Sequence, residues 1–281
     1  MTIEVRKLDE PMLAEVVGVD ATKPLDENEQ AAVNQAFLEH CVLVFRDQPM
    51  GPSETLELSK VFGPVEQHIT VKYRHPEYPD LIVMTNMNEK GEIDAHETAR
   101  GVGWHTDMCY MPVPAKATLL HTIEIPQKGG DTLFANMYLA LEAMPPALRQ
   151  RIEGLNATFR YGGRAADRNR RLEREDEDKP LQAHPVVKRH RESDRLSLFV
   201  NPTHTVSIEG WEEGPALELL EEIYDWASQD RFQARHEWRH GDSVIWDNRC
   251  CWHSATGENP LGQPRRFYRA TIADRPNGRA R

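Results

Sequence analysis

From residue 104 onward the chain is punctuated by short apolar runs separated by polar turns: ATLLHTIEI (117–125), TLFANM (132–137), LSLFV (196–200), SVIWDN (243–248) and RFYRATIAD (266–274). Runs this short, rich in β-branched and aromatic residues, predict strands. Two segments between them repeat their apolar positions with helical spacing. In YLALEAMPPALRQRIEG, Pro145 divides the helix and Gly154 can stop it. In GPALELLEEIYDWASQ, Leu217, Leu220, Ile223, Tyr224 and Ala227 share one face. The first hundred residues alternate differently. A short strand-like opening leads to a helix that Asp26 can cap, with Ala32, Val33, Ala36, Phe37 and Cys41 at helical spacing. VLVF (42–45) predicts a buried strand. A second helix starts at Pro52-Ser53, runs through Leu56, Leu58 and Val61, and ends at Phe62-Gly63-Pro64; LIVMTN (81–86) is another buried strand.

One segment breaks the pattern. RYGGRAADRNRRLEREDEDKP (160–180) is charged and almost free of large apolar residues, which predicts a surface excursion or lid within an insertion at about 160–190. The expected fold is mainly β with flanking helices, a jelly-roll barrel in a single domain spanning 1–281.

Composition narrows the class. With 39% hydrophobic and 28% charged residues a sizeable core is expected. A net charge of −11 argues against nucleic acid or an anionic membrane as partner, so an acidic ligand would need a local basic pocket. No apolar run approaches a membrane span, and MTIEVRKLDE places charges where a secretion signal has an apolar core. Cys41, Cys109, Cys250 and Cys251 form no CxxC pair, which fits a reducing cytoplasm.

The candidate chemistry begins at GWHTDMCY (103–110). On a strand, His105 and Asp107 would point to one face and could converge on an ion; alone, the pair is weak evidence for a metal and reads first as a polar strand face. RCCWHSATG then places His253 just past a strand end. Two histidines and a carboxylate are the facial set that leaves three positions open on iron, whereas structural zinc wants a fourth protein ligand. His40, at a helix end, and His75, before a proline, fit as loop or cap residues. His96, His184, His190, His236 and His240 lie in polar stretches and are expected to be solvated, and His121 to be a core or barrel-lining residue. Arg265 and Arg269 are four apart, so on a strand both guanidinium groups face one side while Arg266 faces the other. Such a pair suits a bound anion or a salt-bridged edge strand. Thr132, after the turn residues of GGDT, could offer a hydroxyl to a bound acid or simply open a hairpin strand.

WHTD (104–107), GGDT (129–132), WDNRCCWH (246–253) and RRFYRATIAD (265–274), with FRDQ (45–48) and FGPVEQH (62–68), resemble in order and spacing the taurine dioxygenase family. Its members are Fe(II)- and 2-oxoglutarate-dependent oxygenases, chlorophenoxyacetate dioxygenases among them. The resemblance covers nearly the whole chain and implies a double-stranded β-helix. His105, Asp107 and His253 match the iron ligands. Thr132 and Arg265 match the residues holding the distal carboxylate of 2-oxoglutarate, and Arg269 and His68 those meeting the acidic end of the substrate. The RRxYR spacing is one residue shorter than RRxxHR, and even offset selects Arg265 over Arg266. Lys72, Tyr73, Phe159, Tyr161 and His204 are further neighbours to watch around the substrate.

The implied reaction consumes O2 and 2-oxoglutarate, releases succinate and CO2, and hydroxylates a small organic acid: a sulfonate, an aryloxyalkanoate cleaved at its ether, or an N-substituted amino acid on an isonitrile-type course. The resemblance also implies a homo-oligomer, a dimer or tetramer. Two rival readings are a zinc hydrolase on the same ligands, which lacks a placed glutamate base, and a non-catalytic barrel that binds an organic acid.

Overall fold

The computed structural model describes residues 3–67, 73–88, 90–94, 98, 101–164, 180–260 and 262–274. His68, Lys72, His96 and residues 165–179 of the expected lid lie outside that set.

The long strand β6 (Ala115–Glu124) organises the molecule. It lies between β14 (Ser243–Asp247) and β16 (Arg266–Ala273), antiparallel to both. Around this trio an eight-stranded sheet runs β1-β2-β3-β14-β6-β16-β4. Its other members are β1 (Glu4–Lys7), β2 (Ala14–Val17), β3 (Val42–Phe45) and β4 (Val65–Glu66), with β5 (Leu81–Thr85) also pairing β16. A second sheet, β13-β7-β15, comprises Gln233–His236, Thr132–Asn136 and Cys251–Ala255. The two meet through rings: Phe134 of β7 lies 5.6 Å from Trp246 of β14, and Trp238 lies 4.7 Å from Phe267 of β16. Smaller sheets pair β8 (Asn156–Phe159) with β9 (Gln182–Pro185) and β12 (Thr205–Ile208), and β10 (Val187–Arg189) with β11 (Leu196–Leu198).

Helices cover the outer faces. The α1 helix (Glu27–His40) begins where Asp26 was expected to cap it: Asp26 accepts from the Asn28 and Glu29 amides, and Glu29 accepts from the Asp26 amide. Its Phe37 packs on Phe62, ring centres 5.1 Å apart, beyond α2 (Pro52–Lys60). Pro145 separates α3 (Met137–Glu142) from α4 (Pro146–Ile152). The α5 helix (Glu213–Ala227) buries Leu219, Leu220 and Ile223 in a cluster with Phe159 and Trp252. Burial of such side chains, at about 1.5–3 kcal/mol each, is what holds helix to sheet. No helix among the described residues is long and apolar enough to cross a membrane.

Three histidines expected in solvent are buried instead, and each has a polar partner. His190 Nε2 lies 3.0 Å from Asp247 Oδ2, His236 Nε2 3.2 Å from Asp242 Oδ2, and His184 Nε2 3.0 Å from the Met111 carbonyl. Polar neighbours in sequence misled the expectation, because strand alternation sends His184 and His236 inward while adjacent residues face water. His240 is exposed and His121 is buried, as expected.

Candidate active site

The segment carrying His105 and Asp107 is not a strand. Residues 103–110 form a succession of bends and turns, with Gly103 at φ 102° and Met108 at φ 55°. Their convergence comes from docking instead. The segment lies along β15, where His105 and His253 exchange both backbone hydrogen bonds, at 3.0 and 2.9 Å. His253 is central in that strand, not beyond a strand end. This pairing brings the two imidazoles to 4.1 Å between ring centres, and Asp107 Oδ2 to 3.6 Å from His253 Nε2. One ligand atom from each of His105, Asp107 and His253 falls within 4.8 Å of the others.

The donor set suits a divalent metal. His105 Nδ1 faces the Gly103 carbonyl at 2.8 Å, so that nitrogen carries the proton and Nε2 keeps its lone pair. Burial, and then His105, push His253 well below the usual imidazole range, so it is neutral, and its buried Nδ1 has no hydrogen-bond partner among the described residues. Burial works to raise the Asp107 carboxyl, but Arg269, His253, His105 and Thr118 together hold it far below the carboxylate range. A neutral imidazole at His253 and an anionic carboxylate at Asp107 are protonation states that ligation requires.

Asp107 is held on three sides. Trp246 Nε1 donates to Asn248 Oδ1 (3.1 Å), and the Asp107 amide donates to the same oxygen (3.3 Å). The Asn248 amide nitrogen therefore faces Thr118 Oγ1 (3.0 Å), and the Thr118 hydroxyl donates to Asp107 Oδ2 (2.6 Å). On the other oxygen, Arg269 Nη2 lies 2.8 Å from Oδ1. Sequence reading missed Thr118, Asn248 and Trp246; only the triad's need for outer support could have pointed to them.

Both arginines reach the cavity that contains the triad, as does Thr132. Arg265 precedes β16, donates from Nε to the Gly130 carbonyl (3.1 Å) and lies 4.4 Å over the Phe267 ring. A side chain on Gly130, whose φ is 73°, would come within 2.6 Å of Asn259 Oδ1 and crowd Arg265 Nε at 3.2 Å, which explains a glycine there. Desolvation pulls the Arg265 guanidinium down to about 10, so it remains charged at neutral pH and would gain from an anion. Arg266 points away, toward Glu124 at 4.0 Å. Thr132 Oγ1 accepts from Trp238 Nε1 at 3.0 Å, which leaves its own proton to be donated.

The other expected neighbours divide. Tyr73, Tyr161 and His204 line the same cavity, whereas Phe159 is buried in the core with Phe199 and His184. Tyr110, which strand alternation would turn away from Asp107, lines the cavity too, because no strand governs its direction. Tyr110, Tyr161 and His204 form one aromatic wall, with ring centres 5.1–5.9 Å apart. His204 Nδ1 accepts from the Gly162 amide at 3.1 Å. A side chain on Gly163 would approach the Thr203 carbonyl to 2.3 Å, so this tight contact between 160–164 and the wall depends on glycine.

The family model described as taurine catabolism dioxygenase TauD, TfdA family matches residues 4–271. An alpha-ketoglutarate-dependent 2,4-dichlorophenoxyacetate dioxygenase of Cupriavidus pinatubonensis is 29% identical, covering 98% of this chain and 99% of that protein. A (S)-phenoxypropionate/alpha-ketoglutarate-dioxygenase of Sphingobium herbicidovorans is 30% identical, covering 97% and 96%. Among solved structures, AAD-2 in complex with Mn(II) and N-oxalylglycine superposes with a TM-score of 0.83 at 27% identity, covering 97% of this chain and 98% of its own. A taurine dioxygenase from Burkholderia xenovorans gives 0.82 at 29%, covering 99% and 92%.

Proposed function

Since this chain belongs to the taurine catabolism dioxygenase TauD, TfdA family and is an alpha-ketoglutarate-dependent dioxygenase using Fe(II), 2-oxoglutarate and O2, we propose that it oxidises a carboxylic acid bearing an aromatic group, of the aryloxyalkanoate kind. The observation that carries this reading is that one cavity holds the His105–Asp107–His253 set, two separate guanidinium groups and an aromatic wall.

In this reading His105 Nε2, Asp107 and His253 hold the iron. Bound Fe(II), with 2-oxoglutarate and O2, supplies an oxidant for a C–H bond while the co-substrate becomes succinate and CO2. The protein's part is placement. Arg265 and the Thr132 hydroxyl take the distal carboxylate of 2-oxoglutarate, an arginine fork and a donated O–H suiting two carboxylate oxygens. Arg269, beside Asp107, takes the carboxylate of the substrate, with Tyr73 at the cavity edge. Tyr110, Tyr161 and His204 then meet the aromatic ring, where edge and face contacts add about 0.5–1.5 kcal/mol beyond burial. Oxidation at the carbon between carboxylate and ether oxygen gives a hemiacetal, which falls apart to a phenol and a 2-oxo acid.

The fold fits the same reading: the large sheet and the β13-β7-β15 sheet form the two faces of a double-stranded β-helix within a single domain, with the site between them. Succinate release from 2-oxoglutarate, measured with phenoxyacetate, taurine and N-alkyl amino acids in turn, tests the assignment. Phenoxyacetate is expected to stimulate turnover and release phenol. Stimulation by taurine alone would overturn the substrate class.

A further inference from the structure

A second cluster of metal-binding side chains lies outside the cavity. Cys41 caps the C-terminus of α1 with φ 64°, and Cys250 and Cys251 stand at the turn from β14 into β15. Their sulfurs all fall within 4.8 Å of one another, and Cys250 Sγ lies 3.9 Å from Cys251 Sγ. All three residues are almost completely buried, in the apolar cluster that contains Met12, Tyr138 and Trp246. With metal–sulfur bonds of about 2.3 Å, three sulfurs in a trigonal plane sit about 4.0 Å apart, so the cluster is already close to a three-coordinate site.

The chemistry of the donors selects the ion. No histidine or carboxylate belongs to the group among the described residues. Structural zinc closes its shell with four ligands, whereas an all-sulfur set with three members suits a soft d10 cation. Charge is the main cost, since buried thiolates need compensation. Asp247, whose charge acts on Cys41 and Cys251, is itself paired: Arg249 reaches both its oxygens, at 2.8 and 2.6 Å, and His190 the second. The Arg195 guanidinium lies 4.0 Å over the Tyr138 ring at the edge of the cluster. Cys250 and Cys251 draw the Cys41 thiol below its usual range, while burial pushes their own thiols up, so metal binding must displace protons from the cluster.

We propose that Cys41, Cys250 and Cys251 form a second metal site, which takes one soft cation of the Cu(I) kind through three sulfurs. Binding forms three metal–sulfur bonds, releases to water the protons the thiols carry, and changes no oxidation state. The site ties α1 to the start of β15, the strand that carries His253, and it is independent of the substrate reading above.

The test is anaerobic competition for Cu(I) between the iron-loaded protein and a chromogenic chelator such as bicinchoninate. Wild type should remove one equivalent. Cys41→Ser and Cys250→Ser should each compete at least about tenfold more weakly, since loss of an outer-sphere partner alone costs metal sites about 10–100-fold. Equal competition by folded Cys41→Ser would overturn the site. X-ray absorption of the copper-loaded wild type needs no variant: a shell of three sulfurs supports the proposal, and a nitrogen or oxygen shell refutes it.

Discussion

Arg269 Nη2 lies 2.8 Å from Asp107 Oδ1, while the Thr118 hydroxyl donates to Oδ2 of the same carboxylate. The arginine expected to greet the substrate is thus also the brace of a proposed metal ligand. A substrate carboxylate arriving at Arg269 must share the guanidinium with Asp107, whose other oxygen faces His253. Because the fork has donors to spare, both anions can be served at once.

Replacing Arg269 by Leu should therefore raise the KM for the organic acid about 10–100-fold, the equivalent of about 1.5–3 kcal/mol for a hydrogen bond to a charged group. The KM for 2-oxoglutarate should stay within about threefold, as expected of a site with its own anchor. Steady-state kinetics with each substrate varied separately checks this. An unchanged KM for the acid would remove Arg269 from substrate binding.

Arg265→Ala should show the opposite split. Arg265 rests on the Gly130 carbonyl and the Phe267 ring, away from Asp107, so its loss should weaken 2-oxoglutarate by about 10–100-fold. Arg266→Ala, at the Glu124 side of the strand, should leave both KM values near wild type. If Arg266→Ala proved the damaging change, the alternation argument would be wrong.

Thr118→Val deletes the proton donated to Asp107 and leaves the Asn248 amide facing a methyl group. Metal affinity should fall about 10–100-fold, read by Mn(II) titration without turnover, and Thr118→Ser should restore most of it. Wild-type affinity in the valine variant would make the Trp246–Asn248–Thr118 chain a packing feature only.

His121 gives a pH prediction. It is buried, with Nδ1 2.8 Å from Ser243 Oγ, and desolvation pulls it down to about 4. Its folded pKa lies below the unfolded value of about 6.5, so the unfolded chain binds the extra proton. Its contribution to stability is intact above about pH 6.5 and is lost as pH falls toward 4. At pH 5 the loss amounts to about 1–2 kcal/mol. Urea unfolding of wild type and His121→Gln at pH 7 and pH 5 should show the variant losing less on acidification; parallel losses would contradict the assignment.

What the sequence made legible was chemistry at fixed spacing. Arg265 and Arg269 reach one cavity because four residues is an even offset, and Asp26 caps α1 because an aspartate three residues before a glutamate satisfies two amides at once. His105 and Asp107 were placed correctly beside His253 for the wrong reason. Their shared direction comes from docking on β15, a contact between residues 148 apart in sequence that no local period encodes. A similar separation, 141 residues, hid Asn248, and Thr118, only 11 residues from Asp107, was hidden because it sits on another element, β6. Tyr110 shows the limit from the other side: strand alternation would turn it away from Asp107, but turns with positive φ, at Met108 for one, replace the strand.

The most direct measurement follows phenoxyacetate and 2-oxoglutarate together, in the presence of Fe(II) and O2, for the wild-type protein and His105→Ala. Wild type should yield phenol and succinate in equal amounts, and the variant neither. Phenol without succinate, or succinate formation that survives loss of His105, would contradict the proposed reaction.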